Sequence, residues 1–238
     1  MKKLLLLFLF VGFSLHAQNP AEPLSITDAD EIKLGRVLAK RFAEEEGIKP
    51  TPQTKKIDAY LQGVGDRVAA HAQRQLPYRF HFDPSPKFKS AIGLPGGQIF
   101  VGSGILAYID SEDQLAAVLG HEIEHIALNH CRDRLLNLLS QQHLSVKQAA
   151  KLKVGEFFPG YGHESELAAD REGVKLAMFA GYSSTPTIRL LQTFLILEQQ
   201  MPNTPSDGEM MLRVRIAQIQ ALTYPGQSQP AEKAFALP

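Results

Sequence analysis

Two histidines four residues apart, with a glutamate directly after the first, sit inside a strongly helical stretch: His121-Glu122-Ile123-Glu124-His125. On an α-helix, positions four apart are separated by about 40° around the axis, so both imidazoles can meet one metal ion. Glu122 projects from nearly the same face, towards water held at that ion. This HExxH arrangement is the minimum equipment of a zinc metallopeptidase, with two ligands and a general base on one rigid element. Taken alone, the pentapeptide also fits an ordinary charged helix face. Residues further along the chain decide between the two.

A catalytic zinc takes three protein ligands and leaves the fourth position to water. His130 comes five residues after His125 with no intervening glycine. On a continuous helix it would point about 140° away, so it reads as a histidine behind the ligands or at a helix cap rather than as a ligand. The other source is a carboxylate on a later helix. Glu164-Ser165-Glu166-Leu167-Ala168-Ala169-Asp170-Arg171 places Glu166 and Asp170 on one face, and Ala168 and Ala169 would let a neighbouring helix approach. Glu166 can bind the metal while Asp170 accepts a hydrogen bond from a ligand histidine and fixes its tautomer. Glu164 is the rival ligand, and an acidic first helical turn is the structural alternative.

Periodicity predicts a mainly helical α+β domain with a small sheet of about three strands beside the helix that carries HExxH. Helices are expected over 25–46, with Asp28 and Glu31 resembling a capping box, and over 53–72. Strands are expected at 78–82, 88–94 and 98–101, the last two joined by Pro95-Gly96-Gly97. A short helical piece at 105–109 precedes the metal-motif helix, which has Ser111 at its N-cap, contacts through Gln114 and runs to about Asn129 or beyond. A breaker-rich loop is expected at 155–162. Further helices are expected at 164–180, 187–200 and 209–222, and the tail over 226–238 is expected to be loose.

The segments Ser90-Ala91-Ile92-Gly93-Leu94-Pro95-Gly96-Gly97, Glu112 to Gly120 leading into His121–His125, and Glu166-Leu167-Ala168-Ala169-Asp170-Arg171 occur in that order. Together they resemble the gluzincin metallopeptidase family that includes HtpX and the CAAX prenyl protease, and its soluble exported bacterial members most of all. The resemblance spans roughly Gly35 to Leu222. It implies a zincin-like domain with one zinc per chain held by His121, His125 and Glu166. It further implies Glu122 as base, Asp170 behind a ligand, and a substrate-holding strand that starts at Ser90. Two positions depart from the family pattern. Ser90 stands where an asparagine is usual, and Thr204 in Asn203-Thr204-Pro205 stands where a histidine is usual. Arg213 and Arg215 then come later than the family arginine, and Tyr161, His163 and Tyr182 are the candidate substitutes for the missing histidine.

The chemistry implied is hydrolysis of a peptide bond, with Glu122 passing a proton from water to the leaving amine. Main-chain pairing along Ala91, Ile92 and Gly93 suits extended or unfolded protein substrates, because backbone bonds select little among side chains. Protein quality control outside the cytoplasm is the role that the resemblance implies. The competing reading is a zinc-containing peptide-binding or chaperone-like module with little turnover. A closed structural zinc site needs four ligands, usually cysteines, and the chain has only Cys131, which reads as a packed thiol.

Lys2 and Lys3 followed by the apolar run Leu4–Leu15 and by Ala17-Gln18 have the layout of a secretory signal peptide over 1–17. A linker over 18–24 and a catalytic domain over 25–225 come next. The location implied is periplasmic or secreted, with membrane association if the signal stays uncleaved, and no stable transmembrane span after cleavage. With 25 basic and 25 acidic residues and no basic stripe, a nucleic-acid partner is not expected. Nothing in the sequence sets the oligomeric state.

Overall fold

Threonine hydroxyls start the first two helices of the computed structural model, which describes residues 24–158, 160–200, 206–222 and 229–238. The signal segment, all of the linker except Leu24, and Thr204 lie outside the described residues. Helix α1 (Asp28–Glu45) is capped by Thr27, whose hydroxyl accepts the Asp30 N–H. The expected Asp28/Glu31 capping box does not form, because Glu31 turns inward. Its fully buried carboxylate accepts from Arg74, Arg132 and the Gly96 N–H. Helix α2 (Pro52–Ala69) opens with a capping box between Thr51 and Thr54.

Three short strands come next, β1 (Arg79–Asp83), β2 (Ala91–Leu94) and β3 (Gln98–Gly102), in the order β1-β3-β2. β3 pairs parallel with β1 and antiparallel with β2. The second strand begins at Ala91, later than its sequence pattern suggests. Gly96 has φ +76°, and a Cβ there would lie 2.5 Å from the Glu31 carbonyl oxygen, so the reversal is glycine for both conformation and space.

The two edges of the sheet differ. On β1, the Phe80 and Phe82 N–H groups point outward and donate to Gln62 and Asp58 of α2. That edge is closed by side chains. β2 forms the other edge.

After a short helix α3 (Ser103–Leu106) comes α4 (Glu112–Ala127), capped as expected by Ser111, whose Oγ accepts the Gln114 N–H. The helix does not run on through Asn129. That residue adopts a left-handed conformation (φ 65°) and α5 (His130–Gln141) starts afresh. Two 3-10 turns follow, Val146–Lys151 ahead of the expected breaker loop and Val154–Phe157 overlapping its start. Helices α6 (His163–Phe179), α7 (Thr185–Gln199) and α8 (Ser206–Leu222) complete a mainly helical α+β fold.

Alternation along β3 divides the core between the two sheet faces. Ile99 and Val101 pack with α2 and α4, whereas Phe100 faces α1, α5 and the 3-10 turns. α4 lies at the centre, with Leu115, Ala116, Leu119, Ile123 and Ile126 fully buried. A third cluster (Ala117, Val174, Leu191, Ile216 and Ile219) joins α4 to α6, α7 and α8.

The expectation of a loose tail is corrected from Gln229 onward. Ala234 forms a β-bridge with Ser111, the Lys233 N–H donates to buried Asp113, and Phe235 packs against Tyr60. Asp113 also accepts the Ser183 N–H, so one carboxylate ties three separate segments together. Among the described residues, no helix is long and apolar enough to cross a membrane.

Candidate active site

The close crossing of α4 and α6 builds the site. A Cβ on Gly120 would lie 2.4 Å from the Gly173 carbonyl oxygen, and one on Gly173 would lie 2.6 Å from the Gly120 carbonyl carbon. Two facing glycines thus let the backbones touch. The helices diverge in opposite chain directions from there. Asp170, about one turn before Gly173, comes level with His121, and Glu166, a turn earlier, reaches both His121 and His125. Ala169 is buried at this contact, but the glycines rather than the Ala168-Ala169 pair set the approach.

The two Nε2 atoms of His121 and His125 are 2.9 Å apart, and they lie 3.5 and 3.6 Å from the Glu166 carboxylate oxygens. The three ligand atoms fall within 4.8 Å of one another. Ligands about 2.1 Å from a tetrahedral zinc stand roughly 3.4 Å apart, so the spacing fits. The tautomers fit as well. His121 turns Nδ1 to an Asp170 oxygen at 2.9 Å, and His125 turns Nδ1 to His130 at 2.9 Å. With protons on both Nδ1 atoms, both Nε2 lone pairs point to the one place where a cation would take them up. Glu164, the rival ligand, is exposed and outside the cluster.

Electrostatics separates the two rings. Burial and the neighbouring His121 push His125 far below the usual histidine range. Burial also works against a charge on His121, but the bond to Asp170 and its negative charge outweigh it and hold His121 above that range. Asp170 is itself held well below ordinary carboxylates: burial opposes this, and the bonds from His121 and Arg215 overcome it. Arg215 of α8 donates to both Asp170 oxygens, at 2.5 and 2.8 Å, and stands 3.8 Å from Glu166.

Glu122 is buried and its carboxyl is raised above the usual range, chiefly by that burial. Its Oε2 accepts the Gly93 N–H at 2.7 Å. The Gly102 N–H donates to the Ser90 carbonyl, which sets the phase of the antiparallel ladder. Ile92 therefore bonds to β3, while Ala91 and Gly93 turn their main-chain groups outward. Both outward groups of Gly93 are taken, the N–H by Glu122 and the carbonyl by the Cys131 thiol. Of the strand expected to hold substrate, Ala91 is thus the position on the open edge. The Ser90 hydroxyl donates to its carbonyl at 2.9 Å from an exposed position. Ser90, Ala91 and Ile92 line the same cleft of about 590 Å³ as His121, Glu122, His125 and Glu166. Leu190, Phe194 and Met211 line it from α7 and α8.

Residues 55–226 match peptidase family M48. The chain belongs to this family. It is 32% identical over 184 residues to the mitochondrial metalloendopeptidase OMA1 of Schizosaccharomyces pombe, covering 72% of this chain and 54% of that protein. It is 25% identical over 107 residues to the β-barrel assembly-enhancing protease of Escherichia coli K12 (44% of this chain, 21% of that protein). The human mitochondrial metalloendopeptidase OMA1 is 30% identical over 123 residues, covering 43% of this chain and 23% of that protein. The chain therefore spans about half the length of the first relative and about a fifth of the other two.

Within this M48 domain, HExxH and the Glu166–Asp170 pair point to the metal-competent cluster from sequence, whereas the place of Arg215 on Asp170 is visible only in the fold. Arg213 and Arg215 both lie on α8, and nothing local says which of them faces α6 or that α8 crosses it. Of the three substitutes considered for the missing histidine, Tyr161 reaches the cluster. Its ring stacks on His125 with centroids 4.2 Å apart, and its hydroxyl bonds the Cys131 sulfur. His163 lines the cleft. Tyr182 lies elsewhere, bonded to Arg67 and Glu112. Helix α1 precedes the matched segment, yet its Glu31 anchors the β2–β3 reversal.

Proposed function

We propose that this M48 chain is a zinc endopeptidase acting on extended or unfolded protein segments. One observation carries the reading: His121, His125 and Glu166 converge in a single cleft with the buried Glu122 carboxyl and the open edge of β2. The fit of the donor set to tetrahedral zinc, and the relatives named as metalloendopeptidases, support it. Bound zinc would supply a Lewis acid that polarises a peptide carbonyl and acidifies water. Glu122 accepts the proton from the attacking water at a carboxylate oxygen and delivers it to the departing amine. The Gly93 N–H holds that carboxylate in place while the proton moves. Asp170, buttressed by Arg215, keeps the His121 proton on Nδ1 and its Nε2 lone pair free for metal.

An extended segment laid antiparallel or parallel to β2 would meet the main-chain groups of Ala91, with the Ser90 hydroxyl adjusting at the Ala91 carbonyl. Backbone pairing of this kind favours unfolded chains over folded ones. The N-terminal basic-then-apolar layout supports an exported location, periplasmic or secreted, and a part in protein quality control there. The name of the β-barrel assembly-enhancing protease is consistent with that part.

The test is cleavage of an unfolded protein by the purified chain with and without chelator, beside E122Q loaded with zinc. Cleavage should vanish with chelator and return with zinc. E122Q should hold one zinc and cut about 10²–10⁴-fold more slowly. Equal cutting by both proteins would refute the assignment of Glu122. Zinc binding by both without cleavage would favour a peptide-binding module.

A further inference from the structure

The break at Asn129 changes where His130 points. Asn129 at φ 65° ends α4, and α5 begins with His130, so its ring folds back onto the helix it follows. Its Nδ1 comes 2.9 Å from the Nδ1 of His125. The proton between them is set by the far side of the His125 ring. His125 turns Nε2 towards His121 Nε2 and Glu166. A neutral imidazole that offers a lone pair at Nε2 carries its proton at Nδ1. Two bare nitrogens at 2.9 Å would repel and two N–H groups would collide. Hence His125 donates from Nδ1, His130 accepts at Nδ1, and His130 carries its own proton at Nε2.

We propose that His130 is a positioning residue for metal binding, fixing the tautomer and the rotation of the His125 imidazole through this Nδ1–Nδ1 bond. The inference rests on the zinc reading above. The two ligand imidazoles are then oriented by different chemistry. His121 donates to a carboxylate backed by an arginine, whereas His125 donates to a neutral ring. Tyr161 completes the clamp on His125. It stacks on the ring face with planes 22° apart and is tethered through its hydroxyl to Cys131. The stack restrains tilt but leaves the ring free to flip about its Cβ–Cγ bond, and the His130 lone pair removes that freedom. Outer partners of ligand histidines are typically worth about 10–100-fold in metal affinity.

The deciding comparison is zinc affinity, measured by chelator competition, for the wild type, H130F and H130N, with folding checked by circular dichroism. Phenylalanine keeps the ring and its packing but has no acceptor. Asparagine places Oδ1 the same number of bonds from Cα as the histidine Nδ1 and so keeps the acceptor while losing the ring. The expected result is zinc affinity about 10–100-fold weaker in H130F and within about threefold of wild type in H130N. Wild-type affinity in H130F would overturn the proposal while leaving the zinc site standing, and so would H130N as weak as H130F. A wild type that binds no zinc would overturn both. If H130F does not fold, long-range 1H–15N spectra of zinc-loaded wild type decide. Protons on Nδ1 of His125 and Nε2 of His130 support the proposal, and a proton on Nδ1 of His130 overturns it.

Discussion

Arg215 and Asp170 show how much one buried pair controls. Asp170 is shared between His121 and Arg215, and both of its oxygens are taken up. Replacing Arg215 with glutamine leaves a buried carboxylate short of its countercharge. Breaking such a pair costs about 3–5 kcal/mol, so urea unfolding of R215Q should show a loss of that order. Zinc affinity should fall too, because the acceptor that holds His121 is no longer pinned. D170N tests the other side of the bond. Its amide keeps the shape but weakens the hold on the His121 proton, and a fall of about 10–100-fold in zinc affinity is expected by chelator competition.

The elements act through their closest approach, and for this site that is the α4–α6 crossing. G173A puts a methyl group into the Gly120 backbone and forces the helices apart. Overpacking of this kind costs about 1–3 kcal/mol. Because Asp170 and Glu166 hang from the same helix, the shift should also weaken zinc binding. G63A, inside α2, is the matching control, since a Cβ there meets nothing within 4 Å. Both effects should be present in G173A and absent in G63A, read by thermal melting and zinc titration. The sheet shows a parallel economy: α2 closes the β1 edge with Gln62 and Asp58, so the one edge able to take up a further strand lies beside the metal-competent cluster.

At the scale of the whole molecule, the C-terminal segment works as a strap. It bridges Ser111 at the start of α4, satisfies Asp113 and covers Tyr60. Ending the chain at Ser228 should strip these contacts and leave Asp113 short of a donor. A loss of about 2–4 kcal/mol is expected, seen as a Tm lower by roughly 5–15 °C for a domain of this size. Beside the strap, burial works to raise the Glu112 carboxyl, but bonds from the Tyr60 and Tyr182 hydroxyls and the charge of Arg67 overcome it and hold the group below its ordinary range. A depressed carboxyl stabilises the fold above the ordinary carboxylate range, and that stabilisation is lost as pH falls through the lowered value. The stability gap between wild type and E112Q, about 1–3 kcal/mol at pH 7, should therefore close as the medium is acidified below about pH 4.

The sequence by itself determined the features that depend on local periodicity. A helix with HExxH presents His121, Glu122 and His125 on one side whatever surrounds it. Ser111 caps that helix through a contact three residues long, and Glu166 and Asp170 share a face because they are four residues apart. The mainly helical α+β class and the three short strands come from the same periods. Only the tertiary structure decided what depends on contacts between distant residues. Gly93 gives its N–H to Glu122 from 29 residues away, Arg215 reaches Asp170 across 45, and Lys233 reaches Asp113 across 120. His130 lies nearer in sequence, where it reads as a histidine behind the ligands or at a helix cap, and one left-handed residue decided between the two by making it the partner of His125. A single backbone dihedral is too weakly encoded in the side chain of Asn129 to be read in advance, whereas its consequence for the ring beyond it is complete.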